Sequence, residues 1–296
     1  AITRFAEAMT CPVVTSFRAK HLIDNSHAYY AGEAGIGANP ALVETLRTAD
    51  LILAVGPRLG EMTTQSYDLF EVPDALADRL IHIHPGGEEL GRVYRPSLAA
   101  TASPGPAMIA IASAASPART AQRTDWVAGR RAAYEAWSTP VAVSGPLNPS
   151  AIWSEVSARY GDQAILTNGA GNFAAWLHRF HQHRCWPSQL APTSGAMGYG
   201  LPAAIAAKLA YPDRPVICAA GDGDFLMSAP ELATAVQHGA NIVVAVFDNG
   251  SYGTIRMHQE RAYPGRVSGT GLSNPDFKAM AESFGAAGFF VDRTED

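Results

Sequence analysis

The sequence predicts an α/β protein made of two doubly wound parallel-sheet domains. Three observations predict it: short apolar runs that end in glycine or a polar residue, helical patterns between those runs, and a Pro-, Ser- and Gly-rich interruption near the middle, after which the alternation restarts. Of the 296 residues, 47% are hydrophobic and 17% charged, the balance of a soluble globular chain with room for two cores.

In the first half, Ile2, Phe5, Ala6 and Met9 have helical spacing, and residues 12–15 (Pro-Val-Val-Thr) predict a short buried strand. Asn39 caps a helix over 40–48, with Pro40 at its first position. Residues 50–56 run apolar into Gly56, the form of a central parallel strand, and 80–84 predict another. From about Thr101 the texture turns to Ala, Ser and Pro, with a helix over 125–137 and a loop over 138–149. We therefore expect a first domain over 1–120, a linker over 121–149 and a second domain over 150–296. In the second domain Ser150 should cap a helix reaching Tyr160. Strands are expected at 164–167, 216–220 and 242–247, helices at 198–209 and 231–238, and a last helix opened by Asn274-Pro275.

The net charge of -5 leaves no basic face for nucleic acid. No apolar run is long enough to span a membrane; the most apolar stretch, 201–211, is cut by Pro202 and Lys208. Cys11, Cys185 and Cys218 are scattered without metal or redox spacing, which suits a reducing cytoplasm, and Cys218 reads as core. The first residues mix acid and base in a helical pattern rather than a secretory one. The chain starts inside that pattern and ends at Thr294-Glu295-Asp296, a helix start with no helix after it, so a segment of a longer protein is expected.

The informative stretch is Gly221-Asp222-Gly223-Asp224-Phe225, followed by Asp248-Asn249-Gly250-Ser251-Tyr252-Gly253. Each follows an apolar strand, and open parallel sheets bind ligands beyond the carboxyl ends of their strands. Asp222 and Asn249 would thus reach one site. A carboxylate, an amide oxygen and a backbone carbonyl are hard donors suited to Mg2+, which shares its octahedral shell with phosphates and water. The glycines allow close backbone approach, and their N–H groups can face phosphate.

This pair of motifs resembles the thiamine diphosphate signature of the acetolactate synthase and pyruvate decarboxylase superfamily. Residues 193–204 (Thr-Ser-Gly-Ala-Met-Gly-Tyr-Gly-Leu-Pro-Ala-Ala) look like the family's segment under the thiazolium ring. Residues 168–172 (Asn-Gly-Ala-Gly-Asn) sit where members contact the aminopyrimidine end. Residues 1–120, with Gly56-Pro57-Arg58-Leu59, look like the central domain. The resemblance implies thiamine diphosphate and Mg2+ as cofactors. Asp222 and Asn249 become metal ligands by side chain and Ser251 by its carbonyl. Gly221, Gly223, Asp224, Ser251 and Tyr252 fall at the diphosphate, and Gly169, Gly171 and Asn172 at the other end of the cofactor. Met197 matches the bulky residue that props the cofactor in its bent form. The resemblance also implies a homodimer or homotetramer with sites between subunits. The family's catalytic glutamate belongs to an amino-terminal domain, so neither Glu7 nor Glu33 is assigned that role, and this chain alone is expected to be inactive. The first choice of function is carboligation of 2-oxo acids, as in acetolactate synthases. A 2-oxo acid decarboxylase or 2-hydroxy ketone lyase is the alternative, because His258 stands where acetolactate synthases carry an acceptor-selecting tryptophan. Glu260 and Arg261 could line that mouth but read first as solvated.

Other readings of the same residues are weaker. A calcium loop from Asp222 would need Glu at its twelfth position, where Ala233 stands. Gly169-Ala-Gly171-Asn-Phe-Ala174 fits a dinucleotide pattern, but no acidic residue closes the following strand. His178, His181 and His183 beside Cys185 lack a further ligand at metal spacing and read as a solvated surface cluster. Tyr29, Tyr30 and Trp153 read as packing. The glycines at 32, 35 and 37, with Arg58, fall in segments that hold FAD in acetolactate synthases; bound FAD and a plain turn both remain open. A non-catalytic cofactor-binding module is the alternative from another class.

Overall fold

A computed structural model describes residues 1–296. Its internal contacts divide the chain into two compact units, 1–137 and 138–296. Every strand pair within a sheet is parallel.

The first unit runs α1 (Ile2–Met9), β1 (Val13–Thr15), β2 (Tyr30–Glu33), α2 (Pro40–Thr48), β3 (Ile52–Val55), β4 (Leu80–His84), β5 (Leu98–Thr101), α3 (Pro104–Ala114) and α4 (Ala121–Ser138). Its strands fall into a β1–β2 pair and a β3-β4-β5 sheet. The Asn39 side chain accepts from Ala41 N at 3.0 Å and Pro40 opens α2, as the sequence implies. The expected linker carries α4, which starts four residues earlier than its helical pattern suggested. Tyr30 is fully buried edge-to-face against Tyr134, with ring centroids 4.9 Å apart.

The second unit runs α5 (Pro149–Tyr160), β6 (Ile165–Asn168), α6 (Asn172–Phe180), β7 (Gln189–Leu190), α7 (Gly200–Ala210), β8 (Val216–Gly221), α8 (Asp222–Leu226), α9 (Glu231–Gln237), β9 (Val243–Phe247), α10 (Gly253–Ala262) and α11 (Phe277–Ser283). The strand order is β7-β6-β8-β9. Successive side chains of a strand point to opposite faces. Val216, Cys218 and Ala220 accordingly join Leu201, Ile205 and Leu232 in one cluster. Ile217 and Ala219 join Trp153, Leu177 and Phe180 in another. Helices therefore cover both faces of the sheet, and β8, buried along its whole length, is its spine.

Three local expectations change. Asn148, not Ser150, caps α5: its Oδ1 accepts from Ser150 N and Ala151 N, with Pro149 at the first helical position. Ser150 is buried; its hydroxyl lies 2.6 Å from Asn148 Oδ1 and 3.1 Å from Val141 O, and it accepts from Val141 N. Asp276 caps the last helix by accepting from Ala279 N at 3.0 Å, which leaves Asn274 outside it. The histidine cluster is not solvated: His181 and His183 are 0% and 1% exposed, their rings 4.8 Å apart. The reason is that 182–184 is pinned to the end of α5, through Gln182 N to Ser157 Oγ and Arg184 N to Gly161 O. Ser188 O then accepts from Leu166 N as the chain enters the sheet.

Candidate active site

Strands β8 and β9 are neighbours in register, Gly221 opposite Phe247, so the segments following them leave the same end of the sheet. Asp222 is 3% exposed. Its Oδ1 accepts from Gly223 N at 2.9 Å, and its Oδ2 accepts from Ser251 N at 3.2 Å. Asn249 Oδ1 accepts from the same Ser251 N–H at 3.0 Å. One backbone proton thus marks the point where the carboxylate and the amide oxygen converge. The turn is held by a bridge between Ser251 and Gly271, with Tyr252 N donating to Thr270 O and Leu272 N to Gly250 O. Ser251 O already accepts from Gly253 N at 2.8 Å, and a carbonyl has a second lone pair to offer. The Ser251 hydroxyl is buried without a partner.

A second arrangement lies around Asp224, also 3% exposed. Its Oδ1 accepts from Gly198 N at 2.7 Å and Ala170 N at 3.3 Å. The carboxylate ties the loop after β6 to the loop before α7, the two segments whose sequence pointed to the cofactor's ring end. It is turned towards backbone donors, which suits an anion better than facing another anion. A Cβ added at Gly169 would stand 1.9 Å from Asp224 Oδ1, so that glycine makes room for the carboxylate. Gly198 has a φ of 78°, and a Cβ there would meet Met227 Cβ at 3.1 Å.

Residues 1–111 match the family model described as thiamine pyrophosphate enzyme, central domain, and residues 169–296 match thiamine pyrophosphate enzyme, C-terminal TPP binding domain. The chain belongs to the thiamine pyrophosphate enzyme family. It is 31% identical over 305 residues to the acetolactate synthase large subunit of Corynebacterium glutamicum, covering 99% of this chain and 48% of that protein. It is 28% identical to the sulfoacetaldehyde acetyltransferase of Alcaligenes xylosoxydans xylosoxydans, covering 99% and 53%. Among solved structures, the thiamine diphosphate-dependent 4-hydroxybenzoylformate decarboxylase of Rhodococcus jostii RHA1 matches with a TM-score of 0.80. Its identity is 25%, over 99% of this chain and 54% of that one. The chain spans about half the length of these relatives.

The remaining candidates of this thiamine pyrophosphate enzyme chain can be placed. The Tyr252 ring lies over Gly223, where a Cβ would come within 2.4 Å of it, and Phe173 lies similarly over Gly221 and Gly171. Asn172 opens α6; its Oδ1 accepts from Thr254 Oγ1 at 2.9 Å, which docks α10 beside it. Met197 is half-buried in the loop before α7. His258 and Arg261 are exposed, and Glu260 accepts from Gly265 N. In the first unit, Glu7 pairs with His27, and Glu33 accepts from the backbone of Arg18. A Cβ at Gly32 would meet Leu42 at 3.2 Å and one at Gly35 would meet Phe17 at 2.8 Å, so packing within the unit accounts for both glycines. Arg58 is bound to Glu89. One residue of the site escaped the sequence reading. Asn274 donates to Asp222 Oδ2, and its only signal was a polar residue before proline that looked like a helix start.

Proposed function

We propose that this chain serves a thiamine diphosphate- and Mg2+-dependent carboligase acting on 2-oxo acids, in the manner of acetolactate synthases. The observation that supports it most is the convergence of Asp222 and Asn249 oxygens on the Ser251 N–H at the ends of two adjacent strands. This donor set fits a magnesium diphosphate: one carboxylate, one amide oxygen and the Ser251 carbonyl, with room in an octahedron for phosphate and water oxygens. When bound, thiamine diphosphate supplies a nucleophilic carbon for attack on the 2-oxo carbonyl. Asp222, Asn249 and Ser251 hold the metal. Gly221 and Gly223 lie beside the diphosphate, their missing side chains making room for Phe173 and Tyr252. Asn172, Gly169 and Gly171 flank the pyrimidine end, and Met197 supports the bent form. Asp224 acts by fixing the loops that carry Gly169 and Met197.

A glutamate from an amino-terminal domain completes the site, which forms between subunits of a cytoplasmic homodimer or homotetramer, so the isolated chain is inactive. Gly32 and Gly35 are used in packing within the first unit and so lend no support to a flavin there. A decarboxylase acting on an aryl 2-oxo acid is the second reading; His258 in place of tryptophan and the likeness to a 4-hydroxybenzoylformate decarboxylase favour it.

The test is calorimetric titration of thiamine diphosphate into the full-length protein, with and without Mg2+, beside an Asp222→Ala variant. Binding should require both the metal and Asp222, and 2-oxo acid turnover with and without an acceptor then separates the two readings. A folded protein that binds thiamine diphosphate equally well without Mg2+ or without Asp222 would disprove the site.

A further inference from the structure

Asp222 is the one carboxylate in the donor set, and its second oxygen has a partner beyond the Ser251 N–H. Asn274 Nδ2 donates to Asp222 Oδ2 at 2.7 Å and to Asp248 Oδ1 at 2.7 Å. Both protons of one neutral amide are therefore spent on two carboxylates, one after β8 and one after β9. Asp248 Oδ1 also accepts from Gly250 N, at the start of the turn that carries Ser251. The other end of the same amide, Asn274 Oδ1, is buried and has no hydrogen-bond partner. A buried acceptor left in that state is destabilising, so such atoms call for a donor.

We infer that Asn274 is a positioning residue of the metal site: its amide nitrogen holds Asp222 in the ligating orientation and keeps Asp248 from repelling it. Its amide oxygen would be left to accept from a donor brought in with the cation. The inference rests on the functional reading above, in which Asp222 is a metal ligand. The path of the chain supports it. The Ser251–Gly271 bridge and the Leu272 N to Gly250 O bond lay 270–272 alongside the ligand turn and so bring Asn274 to it. Pro275 and the Asp276 cap then start α11. Without the amide, two carboxylates would face each other across the mouth of the site, and Asp222 would keep only backbone donors. Partners that orient a metal ligand in this way typically change metal affinity about 10- to 100-fold when removed.

The test uses the full-length protein and follows thiamine diphosphate binding by calorimetry across a Mg2+ series, with thermal melting as the check of folding. Asn274→Ala should raise the half-saturating Mg2+ concentration about 10- to 100-fold, while saturating Mg2+ restores most of the cofactor affinity. Asn274→Ser, which keeps one short donor, should fold as wild type and fall between. A merely structural role lowers the melting temperature but leaves the Mg2+ midpoint where it was; unchanged midpoints in both variants overturn the inference while the metal site stands. If wild-type binding itself ignores Mg2+, the functional reading fails, and this inference falls with it.

Discussion

Replacing Gly169 by alanine tests the Asp224 arrangement directly. The new Cβ would lie 1.9 Å from Asp224 Oδ1, 2.3 Å from Oδ2 and 2.4 Å from Cγ. Real Cβ contacts do not come so close, so the whole carboxyl group must swing away, and with it the bonds from Gly198 N and Ala170 N. Each hydrogen bond to a charged acceptor contributes about 1.5–3 kcal/mol, so Gly169→Ala should cost about 3–6 kcal/mol. For a unit of this size that lowers the melting temperature by roughly 6–24 °C. Asp224→Ala removes the same bonds by itself, and with its carboxylate go the three atoms nearest to a Cβ at 169. The double variant should therefore resemble Asp224→Ala, with a coupling energy of about 3 kcal/mol or more rather than additive losses. Urea unfolding of the four proteins measures this. Additive losses, or a Gly169→Ala protein within about 0.5 kcal/mol of wild type, would show that the glycine does not serve the carboxylate.

Three further outcomes follow from buried titratable groups. Burial pushes His21 down from 6.5 to about 4, so the unfolded chain binds its proton more tightly; stability of the first unit should fall as pH drops from about 6.5 to about 4, and His21→Gln should flatten that limb of a pH–stability curve. Lys20 is 1% exposed, lowered to about 8 by burial with Glu33 opposing, while burial raises Glu33 to about 7 against the pull of Lys20. Lys20→Met should cost about 3–5 kcal/mol in a denaturant titration, and adding Glu33→Gln should recover most of it. Burial, with Asp224 adding to it, pushes the Cys218 thiol up to about 12; an aromatic disulfide reagent at pH 8 should leave it unmodified until the protein unfolds.

The strands were legible because the sheet of the second unit is buried on both faces, and continuous apolar runs bounded by Gly221 or Asn168 have few other readings. Asn39 was legible as a cap because proline follows it directly. The same signal occurs at Asn148-Pro149, immediately before Ser150, whose hydroxyl bonds to the capping Asn148 side chain and to Val141. The ligand candidates were found from local glycine and carboxylate spacing. Asn274 was not, because its bonds to Asp222 and Asp248 depend on the 270–272 segment returning to the turn, which no local pattern encodes. The burial of His181 and His183 was hidden for the same reason: polar side chains were sealed in by contacts to α5 that lie far away in sequence.

The proposed metal ligands follow strands of unequal security. Asp222 follows β8, which is hydrogen-bonded on both sides and buried throughout, whereas Asn249 and Ser251 follow β9, an edge strand whose Val243 is 61% exposed. Backbone amides of β8 exchange with solvent only when the sheet as a whole opens, while those around β9 can exchange through local fraying. A cation bridging the two strand ends would tie the segment that opens often to the one that seldom opens. Its uptake should then slow deuterium exchange over 248–253 and leave 216–221 almost as slow as before.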